Sequence, residues 1–203
     1  MGKTLLLGMS GYAGSGKDSV AGYLVANHDF HRIAFGDSMK QCLYALNPIV
    51  AGGPEDTVWR IKDLVDLDGW DVAKQIPEVR SLLQRFGTEA GRDILGKNVW
   101  VNAAMALVGD HERVVFSDCR FLNEANAVRD AGGLVVRIAR AGVGPANSHE
   151  SETGLDDYSF DRILLNDRGL PELKHLAHEL VKSLLRDTAD EVVEDSLGVP
   201  AYS

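Results

Sequence analysis

The chain has 203 residues, 45% of them hydrophobic and 25% charged, and carries a formal net charge of −9. That length holds one α/β domain with a full core and a small insertion, and the acidic balance argues against a general nucleic-acid or anionic-membrane binder, which shows a basic face. Two cysteines, Cys42 and Cys119, lie far apart without metal-ligand spacing, which fits a reduced cytosol, and no apolar run approaches the roughly 18 residues of a membrane span.

Leu5 to Met9 is apolar on nearly every position and reads as a buried parallel strand; it is too short for a signal peptide. It runs into Gly8, Ser10, Gly11, Gly14, Ser15, Gly16 and Lys17, and a helical pattern begins at Lys17 and continues to Asn27. Strand, glycine-rich loop, lysine and helix form the layout of a phosphate-binding P-loop. Glycines let the loop turn its N–H groups inward, the helix adds its free N–H groups and positive dipole end, and Lys17 adds a point charge for the β- and γ-phosphates. Gly11, Gly16 and Lys17 satisfy G-x-x-x-x-G-K. The next position departs from the pattern: Asp18, followed by Ser19, stands where Ser or Thr is the usual Mg²⁺ ligand. Both are hard oxygen ligands, and the choice between them stays open.

His31 to Phe35 reads as a second strand, and Gly36-Asp37-Ser38 as the cap of a helix from Ser38 to about Leu46, stopped by Asn47-Pro48. Asp37 and Lys40 lie on the sheet edge where ligands bind in open α/β folds; contact with a second substrate and a plain cap with a solvated lysine are both open for them. Residues 51–54 read as a loop, Glu55 to about Leu67 as a helix, and Pro77 to about Phe86 as another. A break is expected at Gly87-Thr88, then further helix over Glu89 to Leu95 and Asn98 to Leu107. Residues of about 50–108 therefore form a helical insert carrying Arg60, Arg80, Gln84, Arg85 and Arg92, with Arg85 and Arg92 flanking the expected break; its arginines read either as phosphate ligands, by their bidentate geometry, or as surface side chains in weak ion pairs. Its apolar face fits either a homodimer contact or the core.

Arg113 to Asp118 is an apolar strand ending in an acid; Asp118 reads as a Mg²⁺ ligand or proton acceptor beside the P-loop, or as a cap in the loop after the strand. Arg120 reads as a phosphate ligand or as the ion-pair partner of Asp118 or Glu124. Asn123 starts or caps a helix to about Ala131. Leu134 to Arg140 is a fourth strand carrying Arg137 and Arg140, and the glycine-bearing loop after it suggests a lid. His149 near Glu152 reads as a proton-transfer or metal pair, or as a structural hydrogen bond. Phe160 to Asn166 is a fifth strand, Leu170 to about Leu185 an amphipathic helix, and the acidic stretch of 188–203 a solvated tail after a single domain of 1–187.

The motifs GYAGSGKDS, AFGDSMK, LLQRFGTEAGRDILGKNVWV, VVFSDCRFLNEA and SHESE, in that order, make the chain resemble the bacteriophage-type deoxynucleoside monophosphate kinases over about residues 3–168. The resemblance implies a three-layer α/β P-loop NTPase fold with a five-stranded, mostly parallel sheet and a helical acceptor-binding insert. It implies transfer of the γ-phosphoryl group of ATP, with Mg²⁺, to a deoxynucleoside monophosphate in dNTP supply, in a cytoplasm that is the host's if the chain is phage-encoded. Gly11, Ala13, Gly14, Ser15, Gly16, Lys17, Asp18 and Ser19 would hold ATP, with Asp18 and Asp118 toward the metal. Asp37, Lys40, Arg85, Arg92 and Glu152 would lie near the acceptor, and Lys17, Asp118, Arg120, Arg137 and Arg140 would serve the transfer. The family's GKD makes Asp18 normal there. A kinase for another small phosphorylated metabolite, such as dephospho-coenzyme A, a nucleotide-binding switch without turnover, and a partner-binding protein with a relict loop are the alternatives.

Overall fold

In the computed structural model, residues 4–50, 58–146 and 150–197 are described, with side chains to residue 186. The chain divides into two compact units: one built from its two ends, residues 1–32 and 112–203, and one from residues 33–111.

The first unit is organised on a five-stranded sheet. In chain order its strands are β1 (Leu5–Ser10), β2 (His31–Ile33), β5 (Arg113–Phe116), β6 (Leu134–Ala139) and β7 (Arg162–Leu165), and their spatial order is β2-β5-β1-β6-β7. The pairs β1–β5, β1–β6 and β6–β7 are parallel. β1 is central, which explains its continuous apolar run: a parallel strand covered on both faces has no solvent side to alternate toward. Helices α1 (Lys17–His28) and α8 (Leu170–Leu197) pack together on one face, and α6 (Leu122–Asp130) packs on β1 and β6. Leu7, Met9, Val20, Leu24, Val115, Val136, Ile138, Leu173 and Val181 form the core beneath α1 and α8. Each such side chain contributes about 1.5–3 kcal/mol through burial. This is the three-layer α/β architecture that the resemblance implies.

Register carries the functional consequence. Leu5 pairs with Arg113 and Gly8 with Phe116, while Ser10 pairs with Arg137. Three parallel strands therefore end together, and the residues just past β1, β5 and β6 emerge on one edge.

The second unit is mainly helical. Helix α2 (Asp37–Leu46) begins at Asp37, with Gly36 at the cap position, so Asp37 is the first helical residue and not the cap. The helix expected over 55–67 begins at Ile61: Trp59–Arg60 (β4) instead pairs antiparallel with Ile49–Val50 (β3), and α3 runs Ile61–Ala73 with a kink at Gly69. Residues 51–57 lie outside the described set. The expected break at Gly87-Thr88 does not occur. Helix α4 (Pro77–Arg85) continues into a π-helical segment, Phe86–Leu95, before α5 (Val99–Ala106). Gly87 is there for space: a Cβ would lie 2.6 Å from Met39 Sδ. Its carbonyl, released from the α pattern by the wider helix, accepts hydrogen bonds from Trp100 Nε1 at 2.8 Å and Arg92 at 3.3 Å.

Two helix ends differ from expectation. Helix α6 is opened by Glu124, whose buried carboxylate accepts the N–H groups of Arg120 (2.8 Å) and Phe121 (3.1 Å), and not by Asn123. Helix α8 runs to Leu197, well into the stretch read as a loose tail, because after Pro171 in its first turn no glycine or proline interrupts the helix until Gly198. Residues 198–203 lie outside the described set.

Away from the strand ends, His178 Nδ1 lies 3.2 Å from His28 Nε2. Burial first, then His178 and Arg113, hold the His28 imidazole below its ordinary proton affinity. The unfolded chain thus binds this proton more readily, so His28's contribution to stability is complete above about pH 6.5 and is lost as pH falls. Chemical denaturation between pH 7 and 5 is expected to show a steeper loss of stability for the parent protein than for His28→Gln; equal slopes would contradict this.

Candidate active site

The P-loop connects β1 to α1 with backbone geometry that side chains rarely allow. Gly11, Gly14 and Gly16 have φ of 144°, 79° and 109°. At Gly11 a Cβ would also meet the Ile138 carbonyl oxygen at 2.5 Å and Ser15 Oγ at 2.6 Å, so only glycine fits. The loop carbonyls are held from behind: Arg140 donates to the Gly14 oxygen at 3.3 Å, and Asn166 Nδ2 donates to the Ser15 oxygen at 2.8 Å. Nothing lies within 4 Å of a Cβ position at Gly14, so the loop meets open space there. This is a cradle of the kind that binds phosphate through backbone N–H groups.

Lys17 is the first residue of α1 and only 5% exposed. It has no hydrogen-bond or ion-pair partner among the described residues. Burial is the main cause of its lowered proton affinity and Arg120 adds to it, while Asp18, Glu152 and Asp118 act in the opposite direction. A buried cation without a direct partner is the candidate anion-binding group of this site. Asp18, Ser19 and Ala13 are exposed on the loop and first turn. Ser15 Oγ is buried and makes no hydrogen bond.

Asp118 lies two residues past β5, and the Cys119 N–H donates to the Met9 carbonyl, fastening this turn to β1. Arg120 pairs with Glu152, at 2.7 Å, and also donates to the Ser151 carbonyl. Its side chain thus turns neither to Asp118 nor to Glu124, the two partners read from the sequence. Glu152 belongs to α7 (Glu150–Thr153); His149, its expected companion, lies outside the described residues. Cys119 is buried, and burial pushes its thiol well up, which disfavours the nucleophilic thiolate.

Arg137 is held in a frame. Its guanidinium stacks over the rings of Tyr12 (4.5 Å) and Phe160 (5.2 Å) and donates to Asp156 at 3.2 Å. The Tyr12 hydroxyl donates to the same Asp156 oxygen at 2.6 Å, which raises its own proton affinity. The P-loop is therefore strapped at Tyr12 to the 155–160 segment. Sequence reasoning missed Tyr12, Asp156 and Asn166. Asn166 alone had a signal, since it ends a strand on the ligand edge.

The structure thus brings Gly11 to Ser19, Asp118, Arg120, Arg137, Arg140 and Glu152 together on the strand-end edge of the sheet unit. The remaining candidates belong to the helical unit. Asp37 and Lys40 pair at 3.2 Å one turn apart, and Arg85 pairs with Glu89 on an exposed helix face, a contact of little energetic weight. Arg92 is half-buried and bonded to the Gly87 carbonyl. Among the described residues no helix is long and apolar enough to cross a membrane, and no group of three or more His, Cys, Asp or Glu forms a metal cage.

The central strand, the glycine cradle, the buried lysine and the strand-end acid define a P-loop phosphotransferase. Comparison with known proteins narrows the class. The model of the deoxynucleotide monophosphate kinase family matches residues 55–176. A protein of Acanthamoeba polyphaga mimivirus named for deoxynucleotide monophosphate kinase activity is 30% identical over 185 residues, covering 83% of this chain and 91% of the relative. The deoxynucleotide monophosphate kinase of Escherichia phage RB69 is 29% identical over 100 residues, 47% of this chain and 41% of that protein. Among solved structures, the Mycobacterium tuberculosis APS kinase CysC in complex with AMPPNP and APS (16% identity, TM-score 0.43, 91% of this chain and 99% of that one) and shikimate kinase from Bacteroides thetaiotaomicron (11%, TM-score 0.43, 88% and 98%) are distant neighbours. The chain belongs to the deoxynucleotide monophosphate kinase family, and it is a nucleotide kinase.

Proposed function

We propose that this kinase transfers the γ-phosphoryl group of ATP to a deoxynucleoside monophosphate, giving the diphosphate for dNTP supply. The observation that carries the reading is Lys17, a buried cation without a direct partner, at the end of an open glycine cradle. Family membership supports the acceptor class.

The residues present fit Mg-ATP. Mg²⁺ is bound through one or two carboxylates, phosphate oxygens and water, not by a full protein cage. Asp118 and Asp18, both near enough to Lys17 to influence its charge, suit that partial ligation. When bound, the ion neutralises charge on the phosphate oxygens.

The chain's own part is positioning and charge. Gly11 to Lys17 would hold the β- and γ-phosphates through N–H groups, and Lys17 would offset charge that builds on the transferring group. Arg140 and Asn166 keep the loop in its binding shape. Arg120, oriented by Glu152, would donate its remaining N–H groups to phosphate. Arg137, stacked between two rings, would contribute a fixed positive charge. Asp37, Lys40, Arg85 and Arg92 are proposed as acceptor contacts. No catalytic histidine or serine is required, because the acceptor's phosphate oxygen is already the nucleophile. Coupled ADP release with Mg-ATP against each common ribo- and deoxynucleoside monophosphate tests the reading. Turnover with deoxynucleotides is expected, and ATP binding without turnover on any monophosphate would refute it.

A further inference from the structure

The recess beside the P-loop contains an unsatisfied acceptor. Glu152 is 9% exposed at its side chain, and its Oε1 takes the Arg120 guanidinium at 2.7 Å. Its other oxygen, Oε2, is buried and makes no hydrogen bond. A carboxylate oxygen withdrawn from water without a partner is costly, and in a native site such a group points to something that completes it. The recess it lines is bounded also by Ser10, Gly11, Arg120, Arg137 and Leu155.

Three features identify the missing partner. Two guanidiniums, of Arg120 and Arg137, line the same recess, so a further cation is disfavoured and the partner is a neutral donor. The space is only about that of one water, so it takes a single hydroxyl-sized group and not a base or a whole nucleotide. No aromatic ring lines it, so it lacks the stacking surface that recognises a base. A sugar hydroxyl meets all three conditions. The one hydroxyl that every deoxynucleoside monophosphate carries, whatever its base, is at the sugar 3′ position. Arg120 donates through a single terminal nitrogen to Glu152 and Ser151, so further N–H groups beside it remain for the same nucleotide's phosphate.

We propose that Glu152 is a specificity-determining residue for the acceptor's sugar, with Oε2 accepting a hydrogen bond from the 3′-hydroxyl. The inference rests on the acceptor reading given above.

The test is a cycle of two changes: a deoxynucleoside monophosphate against its analogue lacking the 3′-hydroxyl, and the parent protein against Glu152→Gln and Glu152→Ala. Removing the hydroxyl is expected to lower kcat/KM of the parent about 10- to 100-fold, the weight of a hydrogen bond to a charged group. The gap should shrink about tenfold in Glu152→Gln, whose neutral amide is a weaker acceptor, and vanish in Glu152→Ala. The 3′-deoxy comparison within each variant separates loss of the sugar contact from any general effect of releasing Arg120. Thermal unfolding checks that each variant folds. The assignment is overturned if the parent treats the two acceptors alike, if the losses simply multiply, or if the loss in the variants depends on the base. If the parent turns over no monophosphate at all, the acceptor reading fails first and this one falls with it; if one variant is unfolded, the parent's discrimination and the other variant still decide.

Discussion

Lys17→Met is expected to lower kcat by about 10²–10³-fold or more while the protein stays folded. The size follows from what the residue supplies: a preorganised positive charge in a water-poor site, aimed where negative charge develops, is among the largest single catalytic contributions. The retained fold follows from its surroundings. Lys17 forms no hydrogen bond or ion pair among the described residues, so its replacement breaks no polar contact, and methionine keeps much of the packed stem. Removing a desolvated cation even relieves a cost that burial imposes. The melting temperature should therefore hold or rise as turnover disappears. Lys17→Arg should also fail, since a planar fork does not replace a compact ammonium at a crowded position. Single-turnover kinetics together with thermal unfolding check both halves; a Lys17→Met protein with parental turnover would contradict the role given to the loop.

Gly11→Ala is expected to damage both stability and activity. The residue has φ of 144°, and an added methyl would meet the Ile138 backbone oxygen at 2.5 Å. That oxygen belongs to β6, which is hydrogen-bonded on both sides, so it cannot retreat cheaply. The strained backbone alone costs about 1–3 kcal/mol, and a loop displaced by even an ångström loses on the order of a hundredfold in rate. Gly22→Ala is the control. It sits mid-helix in α1 with nothing within 4 Å of its Cβ position, and there alanine should stabilise by about 0.5–1 kcal/mol and leave turnover intact. Denaturant midpoints and the KM for ATP distinguish the two outcomes; similar behaviour of both variants would remove the geometric argument for the loop.

What was legible in the chain was what local chemistry dictates. The P-loop could be read because each position has a separate physical demand that few residue types satisfy. Asp118 could be read because an apolar strand ending in an acid is itself a pattern, and parallel register then brings it to Ser10 and Gly11. The rest depended on distant partners. Gly87 has the residue type of a helix breaker, yet it makes room for Met39 and offers its carbonyl to Trp100, facts that only packing reveals. Trp59–Arg60 looks helical alone and becomes a strand because Ile49–Val50 is there to pair with it. The partner of Arg120 is more than thirty residues away, in Glu152, while two nearer acids suggested themselves. Arg137 reads as one more cation, and only the fold shows it clamped between Tyr12 and Phe160. The extension of α8 was legible and overlooked: acidity suggested a solvated tail, but composition without glycine or proline favoured helix.

The central claim is transfer of a phosphoryl group between nucleotides, and following that group is the most direct measurement. The protein is incubated with Mg²⁺, ATP labelled at the γ-phosphate and each deoxynucleoside monophosphate in turn, and the products are separated. The label is expected in the deoxynucleoside diphosphate, in step with ADP, and absent from it in Lys17→Met. Label appearing only as inorganic phosphate, or remaining in ATP with every acceptor, would contradict the account.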